Sequence, residues 1–297
     1  MVRPADFAFN EQTAVDNEFQ NSLPGQDIRS LALAEFEGAE ESLRKCGVEV
    51  LVVEKKEGSP QMPDAVFPNN WFGTTDDGRV HVFPMKTPNR QAETGQLPQV
   101  LDLLRNAGLN VNEITDWRNI LGAGAVLEGT GSLILDRVHK RVYAAISERT
   151  QEAATRKFAE NMGYEAVLFH TESSKGFAYY HTNVVMSIGE KMALVCLECV
   201  PDAAERAHLR NRLAEFHTVV EISREQLEAG FCGNLLQVEN KEGKTLTVLS
   251  QTAFDALTAN QKAQMAPFGE LLPIPIPTIE TVGGGSIRCM MAEVFCA

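Results

Sequence analysis

The sequence predicts a mixed α/β fold, a closed five-bladed α/β propeller formed by residues 1–297 as one domain, and three observations lead there. Helix-period segments recur at intervals of 50 to 60 residues, with starts near residues 30, 90, 147, 201 and 251. Pairs of short strand-like runs lie between them, so the repeated unit reads strand, strand, helix, strand. The composition is that of an ordinary folded chain, with 44% hydrophobic and 23% charged residues, 22 Gly and 13 Pro in 297 positions. Disordered, collagenous and disulfide-scaffold classes are thereby excluded. Length alone would allow two domains, but five similar units with no long linker favour one closed ring.

The elements follow in chain order. A helix is expected over 30–46, where Leu33, Phe36, Ala39 and Leu43 form one apolar face and Gly47 stops it. A strand over 48–53 comes next. Helices over 90–107, ended by Gly108, and 147–162, ended by Gly163, are each a good match to the helical period. The strand Glu165–Phe169 follows the second of these. Strand pairs are expected at 132–136 with 141–146 and at 183–188 with 192–200. Two further helices are expected over 201–216 and 251–265.

Several functions are set aside. Forty acidic against 27 basic residues give a formal charge of −13, against which a nucleic-acid groove would have to be built. The N-terminus has no apolar signal core and no apolar run is long enough to span a bilayer, so a cytoplasmic chain without a membrane partner is expected. The six cysteines, Cys46, Cys196, Cys199, Cys232, Cys289 and Cys296, have no scaffold-like spacing, which fits a reducing compartment. Gly122-Ala-Gly124 begins like a dinucleotide fingerprint but has Leu127 where the third glycine belongs. Cys196 and Cys199 fall in a strand-like run, where an offset of three puts them on opposite faces as core residues. The six histidines show no metal-binding spacing, and neither a metal nor another cofactor is expected.

One polar position per unit remains. Asn70, Glu128, His181, Asn234 and Cys289 are each flanked by Gly, Pro or a strand end and lie 53 to 58 residues apart. A ring would bring such positions together at its axis. Cysteine is the strongest neutral-pH nucleophile among side chains, but a free thiol with a pKa near ~8.5 needs activation. His181 could accept its proton, protonate a leaving amine and later activate water. The Glu128 carboxylate could hold the planar N–H groups of a guanidinium or urea. Gly283–Gly285 would let the backbone before Cys289 approach a substrate.

At these motifs the chain resembles the guanidine-modifying superfamily of arginine deiminases, dimethylarginine dimethylaminohydrolases, succinylarginine dihydrolases and glycine amidinotransferases. The likeness rests on Pro63-Asp64-Ala-Val-Phe, Leu127-Glu128-Gly-Thr-Gly, Ser147-Glu-Arg149-Thr, His181-Thr-Asn183 and Gly-Gly-Gly-Ser-Ile-Arg-Cys289. It extends over nearly the whole chain and is strongest toward citrulline-utilisation hydrolases (CtlX-type). The resemblance implies a pentein, a five-bladed propeller without cofactor that binds a small amino-acid substrate, as a monomer or a homo-oligomer. It implies that Cys289 attacks the guanidino or ureido carbon, that His181 shuttles protons and that Glu128 orients the substrate nitrogens. Asp64 would meet the α-amino group or guanidinium, and Arg90 and Arg149 the α-carboxylate, with surface salt bridging as the competing role for both arginines. Asn70 and Asn183 stand where arginine-type relatives carry acids, and both changes remove negative charge from the pocket. An amide can pair with a neutral ureido group. Citrulline is thus the first substrate candidate and arginine or a substituted arginine the next, while transfer of an amidino group from arginine to an amine is the alternative reaction.

Overall fold

The structure is a computed structural model and describes residues 1–295; Cys296 lies outside the described residues. Four three-stranded sheets share one topology. Strands β1 (Phe72–Thr74), β2 (Arg79–Val82) and β3 (Glu113–Asp116) form the first, and β4 (Ile134–Asp136), β5 (Arg141–Ala145) and β6 (Glu165–Phe169) the second. The third holds β7 (Met186–Ile188), β8 (Met192–Val195) and β9 (Thr218–Glu221); the fourth holds β10 (Leu236–Glu239), β11 (Thr245–Ser250) and β12 (Glu270–Ile274). In each, an antiparallel hairpin is followed by a helix and a third strand parallel to the middle one. The middle strands are flanked on both sides, which is why β5 and β8 are buried at every position and read as unbroken apolar runs apart from Arg141.

The first segment differs. Its helix, Ile28–Lys45, is capped by the Asp27 carboxylate accepting from Ser30 N–H and buries Ala32, Phe36, Ala39 and Leu43. Residues 48–53 do not form the expected strand, and only Val53 pairs, in a parallel bridge with Val2. The chain is thus a mixed α/β fold with four small sheets.

Other expected boundaries shift for local reasons. The stretch 90–107 is broken into Pro88–Gln91, a 3₁₀ turn at Ala92–Gln96 and the helix Leu97–Asn106. Pro98 has no N–H to extend the earlier turn and sits instead in the first turn of a new helix. The stretch 251–265 divides into Gln251–Ala256 and Ala259–Met265 because Leu257 is extended and Thr258 caps the second helix. The helix after β5 starts at Glu152 rather than Ser147, since Ser147 pairs back to Thr150. The helix after β8 is Ala203–Ala214, inside the expected bounds.

The cysteine pair is also corrected. Strand β8 ends at Val195 and Leu197–Cys199 is a 3₁₀ turn, in which positions three apart lie over one another. The Cys196 and Cys199 sulfurs therefore sit 2.6 Å apart in the core rather than on opposite faces. No helix among the described residues is long and apolar enough to cross a membrane.

Candidate active site

The site is built by single helical turns that precede the first strand of successive sheets. Pro68–Asn70 precedes β1, Gly129–Ser132 precedes β4 and Thr182–Val185 precedes β7. Sequence reasoning placed only Ser132 of the second turn, and Asn183–Val185 of the third, in strands. Side-chain to backbone hydrogen bonds chain the turns together. Thr130 Oγ1 donates to Asn69 O at 3.3 Å, Thr182 Oγ1 to Ser132 O at 2.5 Å and Asn234 Nδ2 to Asn183 O at 2.9 Å. Asn234 Oδ1 then accepts from Arg288 N at 3.1 Å, fixing the backbone next to Cys289. Gly131 makes this convergence sterically feasible, for a Cβ there would lie 2.4 Å from Asn70 Nδ2 and 2.8 Å from the His181 ring.

All nine candidate residues are buried in this one region. A tight cavity of about 10 Å³ is lined by Asn17, Asp64, Asn70, Arg90, Arg149, His181 and Cys289, with Phe67, Tyr180, Gly283 and Gly285 completing it. Asn183 Nδ2 and Asn234 Nδ2 donate to Cys289 Sγ at 3.2 and 3.3 Å, so two neutral amides face the sulfur. Glu128 Oε2 receives His181 Nε2 at 2.7 Å, and Oε1 accepts the Lys86 N–H at 2.9 Å. Glu128 thus holds the histidine in place.

The electrostatics follow from this geometry. Burial alone would raise the Glu128 carboxyl, but the His181 hydrogen bond and the charges of Arg149, His181 and Arg90 outweigh it and hold it down at about 2. Burial pushes the His181 imidazole below its usual range, against the opposing pull of Glu128. The neutral ring donates Nε2–H to Glu128 and keeps its Nδ1 lone pair. Burial raises the Asp64 carboxyl despite Arg90 and the hydrogen bonds it accepts on Oδ2 from Asn10 and Thr13 at 2.7 and 2.9 Å. Its Oδ1 has no partner among the described residues.

Both arginines are ion-paired, and both are buried rather than at the surface. Arg90 is buried, and its Nε and NH2 edge grips Glu93 at 2.8 and 2.9 Å while NH1 donates to Asn70 Oδ1 at 2.6 Å. That edge is spent on a protein carboxylate, and the group that Arg90 fixes is Asn70. Arg149 is 2% exposed, stacks over the Tyr180 ring and pairs through Nε and NH2 with Asp16, while NH2 also donates to Thr13 O at 2.8 Å. Asp16, Glu93 and Lys86 were not singled out from sequence. The spacing Arg90-x-x-Glu93 was the one available signal; the contacts of Asp16 are long-range and left none. Asn17 and Gln20 bind the Gly284 and Gly283 carbonyls at 3.3 and 3.1 Å, so residues 10–20 lie against the cavity wall.

Comparison with solved structures finds the same fold. The chain superposes on an arginine dihydrolase of the cyanobacterial ornithine-ammonia cycle with a TM-score of 0.75 at 17% identity, covering 100% of this chain and 40% of that one. Against the N-terminal domain of that enzyme, solved as a mutant bound to its substrate, the TM-score is 0.68 at 17% identity, with 98% and 95% covered. A dimethylarginine dimethylaminohydrolase (DDAH) from Pseudomonas aeruginosa, complexed with citrulline, gives 0.64 at 15% identity and 91% coverage of each chain. The chain thus spans two fifths of the full cyanobacterial enzyme, and at these identities the likeness is one of fold. A comparison with curated protein sequences found no match. The sequence profile for eukaryotic N,N dimethylarginine dimethylhydrolases matches residues 3–296, and with it the chain belongs to that family, hydrolases of carbon–nitrogen bonds within the pentein guanidine-modifying superfamily.

Proposed function

We propose that the protein hydrolyses the ureido or guanidino group of a citrulline- or arginine-type amino acid through a covalent adduct on Cys289. Citrulline is the first candidate, with arginine or a substituted arginine next. The observation that carries this is the set of groups in one cavity: a sulfur faced by two amide donors, a Glu128-held histidine and an Asp64 oxygen without a partner. Cys289 Sγ adds to the central carbon, the bond from that carbon to the departing nitrogen breaks, and the departing nitrogen receives its proton through His181. Water then gives a proton to the same ring and adds to the thiouronium or carbamoyl-type adduct; the carbon–sulfur bond breaks and the thiol returns. Asp64 Oδ1 accepts from substrate N–H groups and Arg149 meets the α-carboxylate. Arg90 acts by positioning Asn70.

The preference for a ureido group rests on charge. Arg90 is matched by Glu93 and Arg149 by Asp16, while Asn70, Asn183 and Asn234 around the reacting region are neutral amides. A guanidinium buried there would bring one more positive charge than citrulline, with only Glu128 and Asp64 left to compensate it. Ammonia release from citrulline and arginine, measured side by side with the mass of the adduct trapped on Cys289, tests the reading. Much faster release from arginine would overturn the charge argument, and full activity in Cys289→Ser would remove the mechanism. A new guanidino product formed on adding glycine would instead identify amidino transfer.

The same reading includes five blades in one domain, the fifth drawn from the Val2–Val53 pairing, the helix Ile28–Lys45 and the segment carrying Cys289. The repeated topology of the four sheets supports it. A cytoplasmic setting is supported by the free state of the five cysteines among the described residues.

A further inference from the structure

Away from the cavity, the second and third sheets meet along a polar seam. Arg141, which opens β5, binds Glu165 at 3.0 Å, Glu215 at 2.5 Å and the Arg212 carbonyl at 2.9 Å, and Arg212 binds Glu165 from the other side. Within this seam Asp136, the last residue of β4, meets His139 from the β4–β5 turn and His217 from the residue before β9. His139 Nδ1 lies 2.9 Å from Asp136 Oδ2 and His217 Nε2 lies 3.6 Å from the same oxygen. One ligand atom from each of the three residues falls within 4.8 Å of the others.

The three groups are oriented as ligands are. His217 Nδ1 donates to Leu213 O at 3.3 Å, which leaves the Nε2 lone pair aimed at a carboxylate oxygen. Two electron-pair donors facing each other across 3.6 Å are an arrangement that a cation completes. The His139 ring lies flat on Phe216, with centroids 3.7 Å apart and planes 3° apart, and turns its Nδ1 toward both Asp136 oxygens at 3.0 and 2.9 Å. The His139 backbone N–H fixes Asp136 Oδ1 at 2.9 Å. The nearby guanidiniums are engaged elsewhere, Arg141 by Glu165 and Glu215 and Arg137 by Glu293. The Asp136 and His217 side chains are 3% and 1% exposed and that of His139 is 26% exposed, which leaves one open side.

We propose that Asp136, His139 and His217 bind one divalent transition-metal ion of the zinc class, with water as the fourth ligand on the open side. Imidazole with a single carboxylate selects zinc-like ions over calcium or magnesium, which prefer all-oxygen shells. Bonds of about 2.0–2.1 Å in a tetrahedron set ligand atoms about 3.3 Å apart, and the observed 2.9 and 3.6 Å bracket that spacing. On binding, the ion takes the Nδ1 lone pair of His139 and the ring proton moves to Nε2. Because the ligands come from two sheets, the ion staples the seam. Linear spacing concealed the site, since His217 is far along the chain from Asp136-x-x-His139.

The test is calorimetric titration of zinc chloride into the metal-free full chain, with thermal melting of the same samples. One zinc per chain and a melting point raised by a few degrees at saturation are expected. His139→Ala and His217→Gln should each weaken binding by more than about 100-fold, beyond the loss typical of an outer-shell change. Cys289→Ser should bind as the parent does, which separates this ion from one on the nucleophile. No binding at millimolar zinc, binding unchanged in both histidine variants, or binding lost in Cys289→Ser would each overturn the proposal. Should His217→Gln fail to fold, His139→Ala, at a part-exposed turn, carries the test alone.

Discussion

The Cys289 sulfur is faced by two neutral amides, and that has measurable consequences at single residues. Asn183 spends its amide on the sulfur at 3.2 Å, and its Oδ1 has no partner among the described residues. Asn183→Leu is therefore expected to leave thermal stability near that of the parent, since it removes an unsatisfied buried oxygen along with one weak bond. It should lower kcat about 10²-fold, as loss of one oriented donor does, and slow alkylation of Cys289 by iodoacetamide. Glu128 gives a pH signature. Its carboxyl falls from an ordinary 4.5 to about 2 on folding, so its stabilisation is fully present above 4.5 and is lost as pH falls toward 2. Glu128→Gln is expected to lack that component, on the order of 3 kcal/mol, with acid unfolding followed by circular dichroism as the check. His181, held neutral by burial, should keep kcat level through neutral pH and let it fall only below the usual imidazole range. Asp64, Glu128, His181 and Cys289 were legible as chemistry in the sequence because each sits in a short motif. Asp16 and Glu93 were not, because their part is to neutralise arginines across the fold.

Among the elements, the misread boundaries and the site coincide. The run expected as a strand over 183–188 begins in the helical turn Thr182–Val185, and the one expected over 132–136 starts at the last residue of the turn Gly129–Ser132; Glu128 and His181 sit immediately before these turns. Each turn is only four residues long and shows no helical period, so periodicity alone could not separate turn from strand. The repeat itself was legible, since hydrophobic middle strands and helix stops are local signals; the breaks at Pro98 and Leu257 needed backbone detail. Gly131→Ala tests the packing of the turns. A methyl 2.4 Å from Asn70 Nδ2 and 2.8 Å from the His181 ring must move both. A loss of about 1–3 kcal/mol in chemical denaturation is expected, with a fall in kcat near 10²-fold from misplacement of the ring.

Across the whole molecule, long-range hydrogen bonds tie both ends of the described residues to distant segments. Thr74 Oγ1 in β1 donates to Glu293 O at 3.0 Å and accepts from Phe295 N at 3.1 Å, and Val2 pairs with Val53. Thr74→Val is expected to cost about 1–2 kcal/mol and to lower the melting point by a few degrees in calorimetry. Sequence exposed the repeat of the sheets but not these contacts, which depend on residues that no local pattern marks. The N-terminal stretch that packs over the cavity has the further effect of making admission competitive. On the proposed function, Asp16 holds the guanidinium edge of Arg149 that an α-carboxylate would take, so binding would require exchange with it and would carry that cost in KM. An amine with the same ureido tail but no carboxylate is then expected to leave the resident acid in place. Asp16→Asn should lower KM for the amino acid while leaving kcat nearly unchanged, and steady-state kinetics would show whether the entrance or the chemistry sets the preference.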